Sequence, residues 1–159
     1  MPQMYRTAIT VTSLTKSDIA PNLDTGHIRK TDDGKEYILM KVDTGSITDG
    51  SPVRKADSSD TEFIAKVSTV IGQKCAGVNN TGGLIAANTY FWALKSGIGY
   101  ASPDGAGWSG GDIIVTSATT TTCAGFANTE ANAKLHPNII GTAINDDAAV
   151  PDGLVMFSL

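Results

Sequence analysis

The stretch Ile71–Gly97, IGQKCAGVNNTGGLIAANTYFWALKSG, decides how this chain is read, because the C-terminus says it again as Asn138–Leu159, NIIGTAINDDAAVPDGLVMFSL. In each copy an apolar residue meets a glycine (Ala76-Gly77, Ile140-Gly141), and an apolar residue and an asparagine follow (Val78-Asn79, Ile144-Asn145). An alanine pair comes next (Ala86-Ala87, Ala148-Ala149), and a dense apolar run closes the copy (Tyr90–Leu94, Leu154–Leu159). The echo continues outward from this stretch. Gly111–Val115 repeats the pattern of Asp49–Val53, and the polar run Thr116–Thr122 repeats Ala56–Thr61. Two units are therefore expected, at 48–97 and 109–159. A period this long, present twice, indicates an internally duplicated domain, since a solenoid needs about three repeats or more.

The units are built from strand and turn chemistry. His27–Lys30 and Lys35–Val42 flank Thr31-Asp32-Asp33-Gly34, and an Asp-Gly pair supplies the positive φ of a tight hairpin. Thr48-Asp49-Gly50 is a second turn signal, and Pro52 after it suits the start or edge of a strand, where a missing N–H costs nothing. Glu62–Ile71 fits helical spacing through Phe63, Ile64, Val67, Val70 and Ile71, but its Val, Ile and Thr content favours a strand. Gly97–Gly111, GIGYASPDGAGWSGG, reads as an irregular surface loop carrying Tyr100 and Trp108. Tyr5–Leu14 alternates imperfectly and suits an extended arm, which Lys16–Gly26, with Pro21, links to the rest. The expectation is all-β: a small antiparallel barrel or sandwich at 27–159, made of two duplicated β-units and preceded by an extended N-terminal arm at 1–26. No helix is expected.

Tyr90–Leu94 and Leu154–Phe157 do not alternate with polar residues. A strand with one wet face alternates, so an unbroken apolar run implies that both faces are covered. The arm, a long loop or another subunit could supply the second cover. Aromatic residues and Met are enriched at interface cores, which favours another subunit over a core strand lying beneath the glycine-rich loop.

Bulk composition sets the outer bounds. A chain of 159 residues with 41% hydrophobic residues is expected to form one domain with its own core. Charged residues make up 18%, below the usual rough quarter, and the net charge is −4. Lys and Arg are scattered, with His27–Lys30 the densest patch, which argues against a nucleic-acid partner. The opening residues MPQMYRTAITVTSLTKSD lack the apolar core and cleavage site of a signal peptide. No run approaches the ~18 apolar residues of a membrane span. Cys75 and Cys123 are accordingly expected as reduced, small hydrophobes.

No catalytic constellation emerges. Gly105–Gly110 matches G-x-G-x-x-G, but that pattern holds phosphate only between a strand and a helix, and here a loop precedes and a strand-like GDIIVTS follows. Ser13–Lys16 matches S-x-x-K without its partner elements and on a β-rich segment. His27 and His136 lack a second His or Cys at ligand spacing, and His136, at the lip of a strand, is expected as a surface or loop residue. Nothing supplies a nucleophile elbow for a pairing of either cysteine with a histidine. Asp57, Asp60 and Glu62, Asp146-Asp147, and Asp32-Asp33 read as solvated turns, since calcium needs about six to eight converging oxygens. Asn79-Asn80-Thr81 fits a glycosylation sequon but, without export, is expected only as a turn. No catalytic residue, metal or cofactor is expected, and no enzyme.

With these segments in hand, GKEYILMKVDTGSITDGSPV at 34–53, KCAGV, ANTYFWALKSG, GDIIVTSA and the ending NIIGTAINDDAAVPDGLVMFSL together resemble the small capsid-decoration (cement) and head-surface proteins of tailed bacteriophages. The resemblance covers most of 26–159 and carries over no active site. It implies a non-enzymatic virion protein on the capsid surface, assembled in the host cytoplasm. Its expected partners are the major capsid protein and further copies of itself, as a dimer or trimer, and it would hold neighbouring capsomers together. The candidate contact residues are Met4, Tyr5 and Ile9 in the arm, Trp92 in the apolar run, and Tyr100 and Trp108 in the loop. The alternatives are a ligand- or glycan-binding β-module that uses Trp108 and Tyr100 as a stacking platform, and a tail or fibre component. A small hydrolase is a more distant reading.

Overall fold

The computed structural model describes residues 25–42, 44–56, 63–67, 69–119, 121–146 and 153–159. Strands β1 (Ile28–Lys30) and β2 (Glu36–Val42) form the expected hairpin, with Lys30 opposite Glu36 and Gly34 at φ +80° in the turn. Lys30 and Glu36 meet at 2.7 Å, and this shared bond raises the lysine pKa and lowers the glutamate's. β3 (Ser46–Ile47) and β7 (Ile85–Ala86) make a small two-stranded sheet. The other strands are β4 (Pro52–Lys55), β5 (Ile64–Val67), β6 (Gly77–Val78), β8 (Thr89–Ala101), β9 (Ile113–Thr116), β10 (Cys123–Phe126), β11 (Gly141–Ala143) and β12 (Gly153–Ser158). With the hairpin they form a 10-stranded sheet of order β1-β2-β5-β4-β6-β8-β12-β11-β9-β10, in which β2 also pairs with β8. The protein is all-β and sandwich-like; the ten strands do not wrap into one closed barrel.

The same set of pairings occurs twice. β4 pairs with β5 and β6, β6 with β8, and β8 with β2; likewise β9 pairs with β10 and β11, β11 with β12, and β12 with β8. Registers correspond as well. Val53 stands opposite Val67 and Gly77, and Ile114 stands opposite Gly125 and Gly141. The amides of Ala76 and Ile140 donate to the carbonyls of Val53 and Ile114, each at 2.8 Å. Gly50 donates to Asn79 at 2.7 Å, as Gly111 does to Ala143 at 2.8 Å. Even the parallel contact of Val42 with Ala65 has its counterpart in that of Pro103 with Cys123.

The long strand β8 serves both sets. Its first half ends the first unit, where Ala93 faces Ile38; its second half stands where β2 stood, so that Val155 faces Gly99. The pairing units therefore begin at β2 and at the middle of β8, earlier than Thr48 and Ser109. The glycine-rich Gly97–Gly111 is corrected accordingly: it is strand as far as Ala101 and loop only beyond. Glycine composition hid this strand, yet Gly99 suits it, because a Cβ there would displace the Leu94 side chain and lie 2.7 Å from Asn80 Oδ1, which bonds the Tyr100 amide. Gly77 and Gly141 carry matched close approaches. A Cβ at Gly77 would lie 3.1 Å from the Leu94 carbonyl oxygen, and one at Gly141 would lie 2.5 Å from that of Met156.

Two core clusters flank the β2–β8 pair. Tyr37, Leu39, Trp92 and Leu94 belong to one, and Ile38, Met40, Phe91 and Ala93 to the other. The Tyr90–Leu94 run is thus covered on both faces by the chain itself, which corrects the expectation that another subunit covers it. A short helix, α1 (Glu130–Leu135), was not expected from the sequence; Thr129 caps it by accepting from the Asn132 amide, and it contributes no buried residue.

Candidate interaction surface

The second apolar run behaves differently from the first. Along β12, Gly153, Val155 and Phe157 point inward, while Met156 and Ser158 are exposed and Leu154 is half-buried. Leu154 faces Tyr100 and Met156 faces Ile98 across the β8–β12 pair. Directly opposed residues, and residues two apart on a strand, share a face. Ile98 (43% exposed), Tyr100 (51%) and Met156 (44%), with Leu154 beside them, consequently form one continuous apolar surface over the seam between the two units. Contiguous apolar surface on a folded chain marks a contact site more often than scattered apolar residues do.

This surface is held in place by polar bonds at its edge. The Asn80 Nδ2 donates to the Tyr100 carbonyl at 2.5 Å, and the Tyr100 amide donates to Asn80 Oδ1 at 3.0 Å. Asn79, next to it, is wholly buried; its amide donates to the carbonyls of Ile47 and Gly83, and its oxygen accepts from Thr81. The sequon asparagine is thus a structural strut for the turn.

Among the residues picked from sequence, Tyr100 lies on this surface. Met4, Tyr5 and Ile9 fall outside the described residues. Trp92 and Trp108 are core side chains, 3% and 6% exposed, which corrects the placement of Trp108 on an exposed loop. The reason for Trp108 is geometric: Gly125 and Gly153 leave the room its side chain occupies. Ile98 was not singled out from the sequence, and Leu154 and Met156 entered only within the apolar run Leu154–Phe157. The expectation that both faces of that run are covered is corrected: Met156 is exposed and Leu154 half-buried, and Ser158 continues their outward set.

The remaining candidates carry no assembled chemistry. His136 lies outside the strands, as one of the two expected placements has it, but is buried, stacked on Phe126 with ring centres 4.2 Å apart, and His27 meets the edge of Trp92 at 6.5 Å. Both cysteines are free thiols. Burial pushes the Cys75 pKa up to about 12, and it raises that of Cys123 well above the ordinary value. Asp33 is held below the usual carboxylate range, chiefly by the Thr31 hydroxyl, and Asp146 accepts from the Gly110 amide at 2.7 Å. Ser13, Lys16, Asp57, Asp60, Glu62 and Asp147 lie outside the described residues. Strand β9, not a helix, follows the glycines at 105–110. Among the described residues, no three His, Cys, Asp or Glu side chains converge as a metal site, and no helix is long and apolar enough to cross a membrane.

No protein-family model matches the chain, and no curated protein matches it. Among solved structures, the chain is similar in fold to the N base of the head fibre protein gp8.5 of bacteriophage phi29, with a TM-score of 0.55 and 8% identity, over 77% of this chain and 92% of that one.

Proposed function

We propose that this protein is a non-enzymatic structural component of a phage virion, bound to the outer surface of the assembled head, where it stabilises contacts between capsomers. The observation that carries this reading is the apolar surface of Ile98, Tyr100 and Met156, with the half-buried Leu154 beside them, which packs against no core cluster among the described residues. The fold shared with a phage head fibre base supports it. The partners are the major capsid protein and further copies of the chain, as a dimer or trimer. Burying apolar area at about 25 cal/mol per Å² favours the bound state. A protein that binds only the assembled shell stabilises that shell by mass action. Many symmetry-related copies would add up modest single contacts.

Co-sedimentation of the purified protein with heads lacking it, and the heat resistance of those heads with and without it, test the proposal. Binding together with a raised disruption temperature supports it; absence of binding overturns it. The head fibre likeness favours a second reading, in which the protein is the base on which a fibre stands. Heads that lose a projecting fibre along with this protein, at unchanged heat resistance, would favour that reading. The glycan-platform alternative loses Trp108, which is buried in the core.

A further inference from the structure

An open groove of about 620 Å³ lies between β4, the strand-to-strand segment before β6, and Leu159. Its rim carries Arg54, Lys55, Lys74 and Lys95, and none of its described lining side chains is acidic. Ile38, Phe63, Ala76 and Leu159 give it an apolar lining. These cations are spread over forty-odd positions of sequence, and only the fold gathers them. The chain as a whole has a net charge of −4, whereas the charged side chains among the groove's described lining are all cationic.

Arg54 is the unusual member. Its Nε is shielded from solvent and has no protein acceptor, and the residue makes no ion pair among the described residues. A guanidinium N–H withdrawn from water without an acceptor is destabilising, and a buried group in that state calls for a partner that supplies one. The neighbouring cations are weakly engaged. Lys55 Nζ sits over the Phe63 ring at 4.3 Å, and Lys95 reaches Glu36 only at 3.9 Å.

We propose that this groove binds an acidic segment of a partner protein, taking a carboxylate on Arg54 and an adjacent aliphatic or aromatic side chain on the apolar lining. A guanidinium matches a carboxylate in fork geometry, with two parallel bonds. Lys74 and Lys95 steer the segment and accept a second negative charge. The volume suits a few side chains rather than a folded element. Nucleic acid fits less well, since a single-stranded binder needs a basic track with free aromatic faces, and Lys55 covers the face of Phe63. The identity of the partner rests on the head-protein reading, under which the segment belongs to the shell subunit; the binding chemistry does not.

The test uses the full chain with heads lacking it, at ~50 and ~500 mM salt. The Arg54→Met variant keeps the apolar stem and removes the guanidinium with its unpaired Nε, so its melting temperature should equal or exceed that of the parent. Its affinity for heads should fall about 10-fold or more, with part of the salt dependence lost and the rest kept by the lysines. Lys74→Glu, at an exposed position, should weaken binding in the same way without altering stability. Parent-like binding by both variants overturns the groove while leaving the head reading intact. If the parent itself does not bind heads, the head reading falls and the groove is judged alone, by titrating the isolated chain with acetyl-Leu-Asp-Leu-Glu-amide and following the Arg54 Nε–H resonance. A saturable shift, absent with the Asn/Gln peptide, supports the site, and no shift overturns it. A thymidine oligonucleotide that moves the same resonance at lower concentration than the peptide would overturn the protein-segment assignment.

Discussion

The side-chain amide of Asn80 does for the backbone of Tyr100 what the segment leading into β1 does for Leu39. Leu39 donates to the His27 carbonyl at 2.9 Å and accepts from Gly26 at 2.7 Å, while Tyr100, at the corresponding place in the second unit, makes both bonds to one asparagine side chain. In the second unit a single side chain thereby takes the part of Gly26 and His27, and Tyr100 stays half exposed. Asn80→Ala removes both bonds. Each is worth about 1 kcal/mol net, so a loss of roughly 1–2 kcal/mol is expected in urea unfolding. Asn80→Asp keeps only the acceptor and should fall between the two; an Asn80→Ala variant as stable as the parent would show that the amide is dispensable.

Trp108 and Gly153 form a second coupled pair. A Cβ on Gly153 would overlap the indole, and a Cβ on Gly125 would overlap the tryptophan's own Cβ. Gly153→Ala is therefore an overpacking change at the first residue of β12, expected to cost about 1–3 kcal/mol. Combining it with Trp108→Leu, which vacates the indole, should cost less than the sum of the two single changes. A double-mutant cycle on melting checks this, and simple additivity would contradict the coupling.

How much of this was legible depended on what each residue type announces. The β1–β2 hairpin was plain because Asp33-Gly34 dictates its turn, and β4 was plain because Gly50 and Pro52 bracket its start. The second half of β8 was hidden because Gly97 and Gly99 look like loop residues, although it is the crowding at Gly99 by Leu94 and Asn80 that favours glycine. Trp108 was misplaced for the same reason: the glycines that make room for it lie at 125 and 153, far away in sequence. The groove cations were invisible because Arg54, Lys74 and Lys95 meet only through pairings of β4, β6 and β8. The apolar run at Tyr90–Leu94 did signal cover on both faces. Nothing in the sequence showed that the cover was the chain's own.

Cys75 gives a pH prediction. Burial raises its folded-state pKa to about 12, whereas the unfolded thiol titrates near its ordinary value of roughly 8.5. The folded state then holds a proton that the unfolded state releases. Stability is unaffected below the unfolded pKa and falls as pH rises from there toward about 12. Cys75→Ala should flatten that part of the stability-versus-pH curve, after allowance for Cys123, whose pKa is raised in the same direction. At pH 8 the fully buried Cys123 should react with iodoacetamide much more slowly than in the urea-unfolded chain, and equal rates would contradict its burial.

The apolar surface supports the sharpest separation of fold from function. Ile98 and Met156 face each other and are each nearly half exposed, so neither contributes the inward packing that Val155 and Phe157 supply on the same strand pair. Exchanging them for polar residues on the solvent face should leave stability within about 0.5 kcal/mol. Removing their contact area from an interface should instead weaken association by about 1–3 kcal/mol, or roughly 5- to 150-fold. The double variant Ile98→Thr/Met156→Gln is thus expected to melt with the parent yet fail to co-sediment with heads. If Val155→Ala, which acts from the buried side, lowers the melting temperature but retains binding once folded, the two faces of β12 have been separated experimentally. Parent-like binding by the double variant would remove this surface from the head contact and leave the Arg54 groove as the other described feature suited to it.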